Sequence, residues 1–122
     1  MEIRVLPHEF SVCSLYDLSE INTSSDFFFI GKTDEEFSLV CQTEHVPKSV
    51  KKREDGWKAL GICGILDFSL VGILSDISSH LAAAGIGIFA VSTYNTDYIL
   101  VKSHDLEKAL MVLENAKYDI QK

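Results

Sequence analysis

The sequence is poor in the residues that build disulfide frameworks, zinc sites and membrane spans. Its three cysteines, Cys13, Cys41 and Cys63, lie far apart, and an odd count without a Cys-x-x-Cys pair argues against a disulfide framework and a zinc site. No apolar run approaches the roughly 18 residues that a membrane-spanning helix needs. The N-terminus lacks the apolar core of a signal peptide. We therefore expect a cytoplasmic protein with no bound metal and no membrane contact.

Basic residues are also scarce. The 122 residues include 11 Lys and Arg against 18 Asp and Glu, so the formal net charge is −7. Binding to a nucleic-acid backbone needs clustered positive charge. The basic run at residues 48–53 is followed at once by Glu54 and Asp55, which is typical of a solvated segment. We expect no nucleic-acid partner.

Known catalytic motifs are missing. The histidines do not have the spacing of a His-Glu-x-x-His or zinc pair, and no base is evident beside Cys63. The run GIGIF at residues 85–89 follows a predicted helix and lies within a predicted strand, which is the wrong context for a phosphate-binding glycine loop. The sequence predicts no catalytic residue and no cofactor, so we expect that the protein is not an enzyme.

Apolar residues make up 47% of the chain, enough for a packed interior, and their pattern is clearest in the second half. Residues 57–63 alternate like a strand. A helix follows, capped by Asp67 or Ser69 and ended by Gly85. Its apolar residues recur at spacings of three and four and form one stripe: Leu70, Ile73, Leu74, Ile77, Leu81 and Ala84.

The remaining elements complete a known order. Residues 86–91 predict a strand that is buried on both faces or faces a partner. A turn at residues 93–96, with Asn95 tolerant of positive φ, joins it to a strand at residues 97–102. A helix capped by Ser103 and Asp105 and an edge strand at residues 118–120 follow. The order strand, helix, strand, strand, helix, strand is the ferredoxin-like unit, in which helices cover one face of an antiparallel sheet.

The first half repeats this pattern weakly, at separations of 58 to 61 residues. The matching pairs are residues 9–12 with 67–70, 27–33 with 88–93, and 37–41 with 98–102. The segment between Cys13 and Asp26 predicts only a short or degenerate helix. Pro47 is expected to open a short helix through Lys52, before a linker at residues 53–56. The sequence thus predicts a degenerate lobe at 1–55 and a complete one at 56–122.

Several features resemble the ACT domain: Gly72 at the helix start, the Ala84-Gly85-Ile86 junction, Ile88, and Ser92-Thr93. The wider pattern GW…LDFSL…GI-IF-STY-TDYILVK resembles the paired ACT repeats of aspartate kinase regulatory regions and of short bacterial ACT-pair proteins. The resemblance is strong over residues 56–120 and weak over 1–50. It implies an α+β fold of two ferredoxin-like ACT lobes, the first degenerate, with antiparallel sheets and helices on one face.

The resemblance also implies an allosteric role, in which an amino acid binds between ACT domains and regulates a partner. We expect any regulated enzyme to be a separate chain. The implied ligand contacts lie on the loop that enters the helix, on the following strand, and on the turn after it. These contacts are Asp67, Phe68, Ser69, Leu70, Val71 and Gly72 on the loop, Gly87, Ile88 and Phe89 on the strand, and Thr93, Tyr94 and Asn95 on the turn.

Elementary chemistry supports that arrangement. A helix N-terminus presents unpaired N–H groups that suit a ligand carboxylate, and Gly72 leaves backbone approach open. Asp67 or Asp97 could then pair with an α-amino group. Structural roles compete at each position: Asp67 as a helix cap, Gly72 for close helix packing, Thr93 as a strand end and Asp97 as a turn residue.

Two functions stay open. The first is an amino-acid sensor, and the second is a ligand-free interaction module in which the same edges serve only assembly. Both predict a homodimer, because lobes of this size leave sheet edges unpaired.

Overall fold

The computed structural model describes residues 2–63 and 72–122, which form seven strands and two α-helices. In chain order these are β1 (Glu2–Leu15), β2 (Phe28–Lys32), β3 (Phe37–Gln42), β4 (Val50–Cys63), α1 (Ile73–Ala83), β5 (Ile88–Ser92), β6 (Asp97–Lys102), α2 (Leu106–Asn115) and β7 (Asp119–Gln121). Short 3₁₀ turns cover Thr43–His45 and Ser103–Asp105. The order predicted for the second half, from β4 to β7, is confirmed. The predicted helix cap at Asp67 or Ser69 lies outside the described residues.

The chain divides into two compact units, and β1 and β4 contribute residues to both. The first unit is His8–Trp57, and the second combines Met1–Pro7 with Lys58–Lys122. The predicted linker at residues 53–56 is wrong, because these residues lie inside β4. The assignment of residues 1–55 and 56–122 to two lobes stays a prediction.

The first unit contains three neighbouring strands that pair antiparallel. Strand β3 pairs with β2 on one side and with β1 on the other. Its core contains Cys13, Leu15, Leu39 and Cys41, all at most 4% exposed. Residues 16–27 contain turns and bends but no helix, in keeping with the degenerate segment expected there.

The second unit packs α1 and α2 on strands from both ends of the chain. Strands β5 and β6 pair antiparallel, and β7 pairs in parallel with β1. The apolar stripe of α1 is confirmed at Ile77 and Leu81, both 0% exposed. Gly85 ends the helix with φ +76°, the left-handed stop that the sequence predicted. The buried core is Ile3, Leu60, Ile62, Ile77, Leu81, Ile86, Ile99, Val101, Ala109, Leu110 and Leu113.

Each unit contains a hairpin with the same register, and equivalent residues of the two hairpins are 60 positions apart. Phe28 pairs with Cys41 as Ile88 pairs with Val101, and Lys32 pairs with Phe37 as Ser92 pairs with Asp97. The 3₁₀ turns that follow, at Thr43–His45 and Ser103–Asp105, keep the same offset. The repeat is therefore confirmed over the hairpin and the 3₁₀ turn, whereas the predicted pairing of residues 9–12 with 67–70 lies outside the described residues. The sequence alignment of residues 37–41 with 98–102 was wrong by one position, since residue 37 matches residue 97.

The backbones of the two copies differ from the residue that follows the 3₁₀ turn. Leu106 has φ −58° and ψ −51° and continues into α2, whereas Val46 has φ −62° and ψ 128° and is extended. Val46 precedes Pro47, and the proline ring disfavours the helical region for the residue before it. The predicted helix from Pro47 to Lys52 is wrong: the chain extends here and enters β4 at Val50.

The structure also refines three smaller predictions. The strand β5 is half-buried or exposed at every residue rather than buried on both faces, so the other predicted alternative, a strand that faces a partner, stays open. Asn95 does not adopt positive φ; among the described non-glycine residues only Lys117 does, at 76°. Ser103 belongs to a 3₁₀ turn, and Asp105 precedes α2 without a capping bond from its side chain.

A phenol–carboxylate bond links the end of the second unit to α1. The Tyr118 hydroxyl donates to Asp76 Oδ2 at 2.5 Å. Burial, reinforced by this bond, raises the pKa of Tyr118 to about 12. Because the pKa is higher in the folded protein than in the unfolded chain, folding favours the protonated phenol. The contribution of this phenol to the free energy of unfolding is complete below the unfolded pKa of about 10 and is lost between about pH 10 and 12.

We expect Tyr118→Phe to reduce the free energy of unfolding below pH 10 and to flatten its fall between about pH 10 and 12. Urea denaturation across this range measures both effects. Tyr94→Phe is the matched control, because that side chain is 93% exposed and should follow the parent curve. A Tyr118→Phe curve parallel to the parent would contradict the assigned role.

Candidate functional site

The structure describes seven of the twelve predicted ligand contacts. Asp67, Phe68, Ser69, Leu70 and Val71 lie outside the described residues. The remaining contacts form three groups in the second unit: Gly72 before α1, Gly87 with Ile88 and Phe89 at β5, and Thr93 with Tyr94 and Asn95 in the turn before β6.

Gly72 is the N-cap of α1 and has φ +91° and ψ 5°. Asp76 N–H donates to Gly72 O at 2.7 Å, and no side chain of residue 72 caps the helix. The N–H groups of residues 73–75 precede this first bond, and they give the helix its positive end. A Cβ at Gly72 would meet no described atom within 4 Å, so the described residues do not support the close-packing interpretation. The glycine is required by its left-handed backbone.

The strand β5 carries the second group at the end of the strand order. It pairs with β6, and no other strand of residues 2–63 or 72–122 lies beside it. Gly87 is exposed just before the strand, while Ile88 and Phe89 are half-buried. An edge strand without charged residues is an open template for another strand or for a ligand.

The third group builds a tight turn. Thr93 N–H donates to Thr96 O at 2.8 Å, and the Thr93 hydroxyl donates to the same oxygen at 3.0 Å. That hydroxyl also accepts from Thr96 N–H at 3.2 Å. The Thr96 hydroxyl donates to Ile62 O at 2.7 Å and ties the turn to β4. Thr93 therefore shapes the turn, and the neighbouring Tyr94 side chain is 93% exposed.

The Asp97 carboxylate accepts a hydrogen bond from a neighbouring residue on the hairpin. The Ser92 hydroxyl donates to Asp97 Oδ1 at 2.6 Å. Ser92 and Asp97 are also register partners on β5 and β6. This bond supports the turn-residue interpretation of Asp97 over recognition of a ligand amine.

The first unit contains a buried hydroxyl network that the sequence analysis missed. Ser11 is 0% exposed, and its hydroxyl donates to Asp55 Oδ1 at 2.5 Å and contacts the Thr43 hydroxyl at 2.9 Å. Arg53 donates two bonds to the Asp55 carboxylate, each at 3.1 Å. The network satisfies a buried polar group on a strand whose neighbours are apolar, so its role is structural. The available signal was a serine, Ser11, placed between the apolar residues Phe10 and Val12.

Cys13 and Cys41 are buried, and Cys63 is half-buried. A hydrogen bond from Cys41 lowers the pKa of the Cys13 thiol. The same bond, followed by burial, raises the pKa of the Cys41 thiol. Both side chains are only 2% exposed, which keeps them in the core rather than at a reactive surface.

The described residues hold no group of three or more His, Cys, Asp or Glu side chains arranged to bind a metal ion. Neither helix in residues 2–63 and 72–122 has the length and apolar composition needed to cross a membrane.

The second unit has the strand and helix order of a ferredoxin-like domain, with a helix that begins at a left-handed glycine and with β5 at the end of the strand order. A family model described as "ACT domain" matches residues 52–115. The chain belongs to the ACT domain family. ACT domains are regulatory domains. A second family model, described as an N-terminal domain, matches residues 8–49, within the first unit.

Solved structures agree on the fold. The crystal structure of the protein Atu0741 from Agobacterium tumefaciens is 31% identical, with a TM-score of 0.88, and the match covers 98% of this chain and 91% of that one. The protein VC0802 from Vibrio cholerae is 17% identical, with a TM-score of 0.74 over 93% and 88% of the chains. The ligand-free regulatory subunit of aspartate kinase from Thermus thermophilus is 10% identical, with a TM-score of 0.65 over 95% and 97%.

Proposed function

We propose that this protein is an amino-acid-binding regulatory module whose ligand lies at an interface between ACT domains. The start of α1 at Gly72 carries the proposal, because the first-turn N–H groups and the positive dipole of a helix suit a ligand carboxylate. In the proposed complex, residues 67–72 surround that carboxylate. Gly87, Ile88, Phe89 and the turn residues Thr93, Tyr94 and Asn95 form the opposite wall, contributed by a neighbouring ACT domain.

The proposed mechanism is a shift between two arrangements of ACT domains. A ligand that binds one arrangement better biases the equilibrium by its difference in affinity, typically about 1–3 kcal/mol. A separate enzyme in the cytoplasm reads the arrangement, and the module itself contributes no catalytic residue. A homodimer supplies the second wall of the site through the open edge of β5.

A ligand-free assembly module is the second candidate. It is favoured by the uncharged edge of β5 and by the 93% exposed ring of Tyr94. In this version the same surfaces join copies of the chain, or join it to a partner, and no small molecule changes their affinity.

A thermal-shift screen against the twenty amino acids separates the two candidates. We expect one or a few ligands to stabilise the protein by about 2.7 kcal/mol at 100 times their dissociation constant. Flat melting curves for all twenty at up to about 10 mM would overturn the sensor and favour the assembly module.

Gly87→Ala is a suitable site variant. Gly72→Ala is unsuitable, because positive φ strains any side chain there. Gly87 has no such φ, and an added Cβ meets no described atom within 4 Å. We expect Gly87→Ala to weaken the ligand response while the protein stays folded. Gly31→Ala on β2 is the control, since its Cβ makes only an ordinary contact at 3.8 Å with Ser38. A ligand response in Gly87→Ala equal to that of the parent would contradict the assignment of β5 to the site.

A further inference from the structure

An aspartate and a histidine lie next to each other on the exposed surface of α1. Asp76 and His80 are four residues apart on the helix, so their side chains lie on the same face. The side chains are 53% and 44% exposed, respectively. An ion from solvent can therefore reach both groups without any movement of the core.

The separation of the two side chains suits a shared metal ion better than a direct hydrogen bond. His80 Nε2 lies 3.4 Å from Asp76 Oδ1. A hydrogen bond from nitrogen to oxygen usually spans about 2.7–3.2 Å. A tetrahedral Zn²⁺ ion, bound about 2.0–2.1 Å from the nitrogen and about 2.0–2.2 Å from the oxygen, holds the two atoms about 3.3–3.5 Å apart. The observed distance falls within that interval.

A third residue holds the carboxylate in this position. The Tyr118 hydroxyl donates to Asp76 Oδ2 at 2.5 Å, while the other oxygen, Oδ1, is the one nearest His80. Tyr118 directly precedes β7, so the bond joins two distant segments of the second unit. Carboxylates that bind metals are themselves hydrogen-bonded by neighbouring groups, which orient them. The arrangement thus provides two ligand atoms and a residue that orients one of them.

The chemistry of the two ligand atoms selects a class of ion. Imidazole nitrogen suits Zn²⁺, Ni²⁺ and Cu²⁺, whereas Mg²⁺ and Ca²⁺ prefer oxygen ligands. The described residues hold no group of three or more His, Cys, Asp or Glu side chains at one metal site, so water must fill the other positions around the ion. Such a shell is open, unlike the closed four-ligand shell of a structural zinc site.

We propose that Asp76 Oδ1 and His80 Nε2 bind one Zn²⁺ ion, or another divalent transition-metal ion that accepts imidazole, and that Tyr118 positions the carboxylate. Because the same carboxylate bonds to Tyr118, the bound ion strengthens the link between α1 and the segment before β7. The site uses none of the proposed amino-acid contacts. With a chelator present in the amino-acid screen, either proposal can fail without the other.

Titration of the full chain with Zn²⁺ at about pH 7.5, followed by backbone amide NMR shifts, tests the site. Imidazole is largely neutral at this pH and can bind a metal. We expect saturable shifts centred on residues 76–80 and 118, with a dissociation constant below about 100 μM, and none with Mg²⁺ up to about 10 mM. The proposal is overturned if Zn²⁺ does not saturate these shifts by about 1 mM, or if Mg²⁺ binds equally well.

His80→Gln and His104→Gln are matched variants of two exposed histidines in the second unit. His104 Nε2 also lies near a carboxylate, 3.6 Å from Asp105 Oδ2, but its side chain is 79% exposed and Asp105 is its direct neighbour in sequence. We expect His80→Gln to weaken Zn²⁺ binding at least about tenfold and His104→Gln to leave it within about twofold. Parent affinity in His80→Gln would overturn the site, and equal losses in both variants would reduce it to adventitious binding by surface histidines.

Tyr118→Phe tests the positioning role, because it keeps the ring and removes only the hydroxyl. Loss of a group that orients a metal ligand typically weakens metal binding by about 10–100-fold. We expect Zn²⁺ affinity to fall about tenfold in Tyr118→Phe and to stay at the parent value in Tyr94→Phe. A purely structural tyrosine would change the stability of the protein but not the Zn²⁺ affinity of the folded chain, so parent affinity in Tyr118→Phe would contradict the positioning role.

Discussion

Replacing Leu113 with alanine is expected to lower the free energy of unfolding by about 2–5 kcal/mol. Leu113 is 0% exposed on α2 and packs in the core of the second unit with Leu81 and Ile99. The truncation removes buried methyl groups and leaves a cavity that the fixed strands beneath cannot fill. For a domain of this size, each kcal/mol lowers the melting temperature by several degrees.

Urea denaturation of Leu113→Ala measures this loss, with Met111→Ala as the control on the same helix. Met111 is 66% exposed, so its truncation should change the free energy of unfolding by less than about 1 kcal/mol. Equal effects of the two variants would show that α2 does not present Leu113 to a packed core.

Leu39→Ala is expected to have a comparable effect in the first unit. Leu39 on β3 is 1% exposed and packs with Cys13, Leu15 and Cys41. The truncation should cost about 2–5 kcal/mol. Because this core is small, we expect the loss of amide protection to be greatest at β1, β2 and β3.

Hydrogen exchange followed by NMR tests that distribution. Ile30→Ala is the control, because Ile30 is the register partner of Leu39 on β2 but is 43% exposed. It should cost less than about 1 kcal/mol and leave β1 protected. Protection lost first in α1 and α2 of Leu39→Ala would contradict a separate core for the first unit.

The fold of the second half could be predicted because its local signals agree with its packing. The three-and-four spacing through Ile77 and Leu81 marks the buried face of α1, and Gly85 provides the left-handed stop. Strand β6 was predicted with its observed bounds, 97–102. Agreement of periodicity, turn residues and burial is the condition under which sequence reasoning succeeds.

The long strand β4 could not be predicted from its first half. Residues 51–55 read KKRED and are all exposed, so no alternation of apolar and polar residues marks them. Their strand conformation comes from pairing with neighbouring strands, which local sequence does not record. Pro47 was misread for a related reason: proline suits the first turn of a helix, but it also holds Val46 extended.

The candidate sites divide in the same way. The helix start at Gly72 was visible as a glycine beside an apolar stripe, although its positive φ was not. The proposed metal site was not predicted. The spacing of Asp76 and His80 is visible in the sequence, but Tyr118 lies 42 residues after Asp76 and reaches its carboxylate only through the packing of the second unit.

The 60-residue offset means that one backbone design is used twice with different surfaces. Both turns begin with threonine, at Thr33 and Thr93, and that hydroxyl bonds to backbone N–H in each. The next three residues are Asp-Glu-Glu in one copy and Tyr-Asn-Thr in the other. The backbone bonds are maintained by the threonine, so the other positions are free to diverge. The same hairpin backbone can therefore carry different side chains in its turn, and each copy can acquire its own recognition chemistry while the fold stays the same.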